Sequence, residues 1–92
     1  MELLIKVLAN EFTLSASANT TVNNAVVVRL VHTGTQAHLI TIADGAGSNI
    51  GTITIMHDTE LILEKDRTDT LQLDAAHAGS QDVLVVSIAY KN

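Results

Sequence analysis

The groups in this chain able to hold a metal ion or move a proton are four histidines, at positions 32, 38, 57 and 77, and ten carboxylates. No two histidines stand as His-x-His, and there is no cysteine to complete a zinc set, which needs three or four ligands in tetrahedral array. His57 and Asp58 are adjacent, but neighbours on a strand point to opposite faces. These histidines read as surface or interface residues, with no metal site. Asp44-Gly45-Ala46-Gly47-Ser48-Asn49 lacks the spaced acidic ligands and closing glutamate of a calcium loop and reads as a hairpin turn. Its Gly-x-Gly is not framed by the βαβ unit of a nucleotide fingerprint. Asp66, Asp69, Asp74 and Asp82 would supply the paired carboxylates of a glycosidase. Sugar clefts, however, usually offer stacking aromatics, and Phe12 and Tyr90 are the only ones here. No Gly-x-Ser-x-Gly nucleophile elbow exists. The sequence therefore predicts no catalytic, cofactor-binding or metal-ligating residue, and no enzyme.

The elements that would position these groups are strands. Val26, Val28 and Leu30 alternate with Val27, Arg29 and Val31, Ile53 and Ile55 with Thr52 and Thr54, and Val83, Val85 and Ser87 with Leu84, Val86 and Ile88. A period of two is a β-sheet signal. The chain holds 9 Val, 8 Ile and 11 Thr, so its core must come from β-branched residues that fit a pleated surface. Strands are expected near residues 2–9, 12–16, 25–32, 36–43, 50–57, 60–64, 70–74 and 82–90. The first of these competes with a helix across 3–14, which no capping residue supports. Gly34 is expected to supply a positive φ in the turn after the third strand, and Gly51 to mark a bulge. Residues 75–81 read as one helical turn. Residues 15–24 are small and polar and read as a loop, with a short edge strand at 20–22.

The expected architecture is all-β: a small antiparallel β-sandwich, jelly-roll-like, of about eight short strands. Residues 1–92 form a single domain, with 1–24 a less regular strand and arm. A net charge of −5 opposes a nucleic-acid surface or anionic lipid, both of which need clustered Lys and Arg. Glu2 and Lys6 interrupt what would be a signal peptide, and no run is long enough to span a membrane.

Two strands carry apolar residues on both faces, and one face of each should need cover from another chain. Val26, Val28, Val83 and Val85 are therefore expected at an interface. Glu64-Lys65-Asp66-Arg67-Thr68-Asp69 is the densest charge cluster, and its alternating signs suit a solvated loop or a contact with another chain.

Val27-Val28-Arg29-Leu30-Val31-His32-Thr33-Gly34, then Ala37-His38-Leu39-Ile40-Thr41-Ile42, then Ile50-Gly51-Thr52-Ile53-Thr54-Ile55, then Leu61-Ile62-Leu63-Glu64-Lys65-Asp66-Arg67-Thr68-Asp69-Thr70-Leu71 form a sequence of segments over residues 25–90. This resembles small all-β virion proteins of tailed bacteriophages, particularly those of cyanobacterial and other marine phages. The resemblance implies a capsid cement or decoration protein, with a neck or tail component as the alternative. It implies a homo-oligomer, by analogy a trimer, bound to the major capsid protein on the virion surface and assembled in the host cytoplasm. It also implies that Glu64, Lys65, Asp66, Arg67 and Asp69 make lattice contacts, and that residues 15–24 form an arm that orders on binding. A reading of another class is a carbohydrate- or receptor-binding sandwich module. No cofactor, nucleic acid or membrane is expected as a partner.

Overall fold

The computed structural model describes residues 4–74 and 83–91. The strands are β1 (Leu4–Val7), β2 (Phe12–Thr13), β3 (Val27–His32), β4 (His38–Ala43), β5 (Asn49–Ile55), β6 (Glu60–Glu64), β7 (Thr70–Leu73) and β8 (Val83–Lys91). The helical turn expected at 75–81 lies outside the described residues. Residues 4–7 and 12–13 are strands joined through a bend at Ala9, and the helix considered across 3–14 does not form there.

Every pairing is antiparallel. The larger sheet runs β1–β8–β3–β6, with β2 also on β8, and the smaller runs β5–β4–β7. An isolated bridge, Thr20 to Leu71, lays the chain along the free edge of β7. The path thus crosses from β1 and β2 to Thr20 on the other sheet, back to β3, over to β4 and β5, back to β6, over to β7 and back to β8. With β1 and β2 taken as one interrupted strand along β8, and the Thr20 bridge as the fourth member of the smaller sheet, this alternation is the jelly-roll order.

The core lies between the sheets. Val28, Leu30, Val83 and Val85 of the larger sheet meet Ile40, Ile55, Leu71 and Leu73 of the smaller, with Leu14, Val22 and Ala25 closing one side. Three residues expected at an interface, Val28, Val83 and Val85, are therefore in the chain's own core, each with no exposed surface. The correction is one of parity. The alternate set faces outward, Val27, Arg29 and Val31 on β3 and Leu84, Val86 and Ile88 on β8, with Arg29 opposite Val86 and Val31 opposite Leu84. Val86 and Ile88 are buried even there, whereas Val27, Val31 and Leu84 are half-buried. Arg29 stands between Ile62 and Val86 in register and forms ion pairs with Glu60 and, at 3.9 Å, with Glu11.

Residues 15–24 are not a loose arm. Leu73 N–H donates to the Ser15 carbonyl (3.0 Å), Thr20 and Leu71 exchange backbone hydrogen bonds (3.0 and 2.9 Å), and the Gln72 amide donates to the Ala16 carbonyl (2.9 Å). Val22, Asn23 and Asn24 follow with φ of 54°, 58° and 56°. Left-handed backbone is tolerated by asparagine and costly for a β-branched residue. Val22 is held there by complete burial, with its N–H donated to Thr20 Oγ1 (3.1 Å). Among the described residues the glycine with a positive φ is Gly47 (90°) and not Gly34. The Gly34 N–H instead donates to the His32 ring.

Candidate functional site

One cleft, of about 590 Å³, gathers residues from three parts of the chain. Val26 precedes β3, Ile50 lies in β5, and Glu64, Lys65, Asp66 and Asp69 occupy the end of β6 and the turn after it. Each wall has a local cause. The β4–β5 register shifts so that Ile42 faces Gly51 while Ala43 faces Asn49. Ile50 is the extra residue of that bulge, one position before the glycine expected to mark it. Bulges re-aim a side chain, and Ile50 is left 59 % exposed at the rim.

The charged segment is a built turn. The Asp69 N–H donates to the Asp66 carbonyl (3.0 Å), and the Asp69 carboxylate accepts the Asp66 N–H (3.0 Å). The Lys65 N–H donates to the Val26 carbonyl (2.8 Å), tying the turn to the entry of β3. The β4–β5 hairpin turn leans against it so closely that a Cβ on Gly45 would lie 3.0 Å from the Thr68 Cβ, and a larger residue there must displace the Thr68 side chain. Asp44 organises that hairpin by accepting the Ala46 and Ser48 N–H groups (both 2.9 Å).

Lys65 and Asp69 are buried, whereas Glu64, Asp66 and Arg67 are exposed. The Lys65 ammonium donates to the Asp66 carbonyl at 3.2 Å. Burial pushes its pKa below the ordinary lysine value, and the carboxylates of Asp69 and then Asp66 oppose that shift. Three carboxylates against one ammonium leave the cleft negative, with Val26 and Ile50 as apolar walls. An extended cationic side chain fits such a place: its methylenes lie on the apolar walls and its head meets carboxylate.

The structure thus brings together five of the nine residues singled out from the sequence: Val26, Glu64, Lys65, Asp66 and Asp69. Arg67 does not line the cleft, and Val28, Val83 and Val85 lie in the core. Ile50 was missed. Gly51 was its sequence signal, but a bulge beside a glycine does not announce which neighbour it turns outward.

A second cluster sits inside the sandwich. His32 and His38, expected on the surface or at an interface, are each only 1 % exposed, with ring centroids 5.0 Å apart. His38 Nδ1 donates to Asp74 Oδ1 (2.7 Å), while Asp74 Oδ2 accepts the Leu39 N–H (3.1 Å). His32 Nδ1 accepts the Gly34 N–H (3.0 Å), which places the ring proton on Nε2, donated to the Gln36 carbonyl. Each ring is thereby committed to closing the β3–β4 connection or fixing the end of β7. Among the described residues no three His, Asp or Glu side chains converge as a metal set.

No protein-family model matches the chain, and no curated protein or solved structure is similar to it.

Proposed function

We propose that this chain is a non-enzymatic virion structural protein: a capsid cement or decoration protein of a tailed bacteriophage, working as a homo-oligomer seated on the major capsid protein. The observation that supports this reading most is the cleft, where Val26 and Ile50 stand beside Glu64, Asp66 and Asp69 on a turn fixed by its own hydrogen bonds. A lattice that offers a lysine or arginine to this cleft is gripped by stem and head together. One exposed ion pair contributes at most about 1 kcal/mol. Many copies on a repeating surface multiply that through effective concentration. The resemblance over residues 25–90 points the same way. So does the jelly-roll order, which recurs in viral capsid proteins as well as in lectins and cupins.

The test is binding to empty capsid shells of the phage that encodes the chain. Wild-type protein is expected to co-sediment with the shells. Glu64→Lys with Asp66→Lys is expected to lose roughly tenfold or more in affinity, equivalent to about 1.4 kcal/mol. Asp58→Asn, an exposed charge outside the cleft, is expected to bind as wild type. Failure of the wild type to bind shells, or binding untouched by the double reversal, contradicts the proposal.

A further inference from the structure

Among the described residues β1 is an edge of the larger sheet, and its apolar residues are exposed. Leu4 is 55 % exposed, Ile5 44 %, Val7 64 % and the following Leu8 53 %. Both sides of the strand are affected, because Leu4 and Leu8 lie on one side of the pleat and Ile5 and Val7 on the other. Its inner edge is bonded to β8: the Leu8 N–H donates to the Ser87 carbonyl (3.0 Å), with Lys6 and Leu4 opposite Ala89 and Lys91. In an antiparallel ladder alternate residues turn their N–H and C=O to opposite edges. The backbone groups of Ile5 and Val7 therefore point to the open edge.

The other sheet edges are guarded. Residues 15–20 cover β7. β6 begins and ends in glutamate, and charge on an edge deters pairing. β5 presents Gly51, Thr52 and Thr54 and is broken by its bulge. β1 carries a single charge, Lys6.

We propose that β1 pairs antiparallel with β1 of a second copy, joining two larger sheets across a twofold axis. Any extended segment can complete an edge. A second β1 also supplies matching apolar side chains on both faces, as a self-complementary twofold contact requires. Each chain carries a net charge of −5, and the one charge within β1 is Lys6, which a register centred on Val7 sets opposite the partner's Leu8 and not opposite the partner's Lys6. The four exposed apolar side chains of each copy offer less area than the roughly 1,200–2,000 Å² buried in lasting complexes. The dimer is accordingly reversible and forms as concentration rises. This inference rests on β1 alone, so its failure leaves the shell-binding result where it stands.

The test is sedimentation equilibrium of the full chain from micromolar to millimolar concentration. The mass is expected to rise from 9.8 kDa towards twice that value. Ile5→Pro and Val7→Pro each delete an outward N–H and leave the bonds to β8 in place, as an edge proline can. Both are expected to stay monomeric while retaining the wild-type circular dichroism spectrum. Amide exchange of the wild type needs no substitution: the Ile5 and Val7 amides should slow as concentration rises, while the Leu8 amide stays slow throughout. A chain monomeric at millimolar concentration, a dimer that survives both prolines, or a trimer overturns the proposal. Should the prolines unfold the chain, Ile5 and Val7 exchange that ignores concentration overturns it equally.

Discussion

Lys65 is the residue on which the cleft turns. Its backbone ties the charged turn to Val26, its ammonium caps Asp66, and its burial disfavours its own charge. A lysine whose pKa falls below 10.5 on folding binds fewer protons folded than unfolded between the two values. Stability from this group therefore rises with pH across that window, and the penalty is fully present below it. Relative to Lys65→Met, the wild type is expected to gain stability as pH rises towards 10.5, measured by urea unfolding of both proteins at each pH. A constant difference between them would refute the account of Lys65. At this scale the sequence was partly legible. Charge alternation over 64–69 marked the turn, but it could not show that Lys65 and Asp69 are buried. Nor could it show that Asp69 bonds back to Asp66, because that depends on the turn's backbone. The histidines were illegible for a related reason. His32 and His38 are six positions apart on separate strands, and their partners are a loop carbonyl and Asp74, set by tertiary packing.

Strand existence was the most legible level. Alternation marked β3, β5 and β8, because a period of two survives in any single sheet with one buried face, and β-branched runs between turn residues placed the other strands near their positions. Facing was not legible for β3 and β8. With valine or leucine at consecutive positions, either parity gives an apolar side, and packing against β4, β5 and β7 decides which is inside. This assignment has a direct test. Val28→Ala and Val85→Ala remove buried methyl groups and leave a cavity, at a cost of about 2 kcal/mol each. Val27→Ala, on the half-buried outer side, should cost under about 1 kcal/mol. Equal losses in urea unfolding would show the parity to be misassigned.

At the scale of the molecule, the jelly-roll path explains why one small chain can offer two different surfaces. Alternating between sheets sends the connections to the ends of the sandwich, where the β4–β5 hairpin and the 65–69 turn meet to form the cleft. The cleft lies beside the edge strands β5 and β6, whereas β1 is the opposite edge of the larger sheet and is open among the described residues. The cleft proposed to bind a lattice and the edge proposed to pair with another copy are thus separate surfaces of one small chain. Composition foretold the sandwich but not the cleft, since Val26, Ile50 and Asp69 become neighbours only when three segments converge. The central claim, that this chain is a capsid cement protein, is tested most directly by a cryo-electron-microscopy map of the intact particle that encodes it. The account predicts density for the jelly roll on the outer shell, with the side bearing Val26, Ile50 and Asp66 against the major capsid protein. A shell that lacks this density, in particles whose infected-cell lysate holds the protein in abundance, would contradict it.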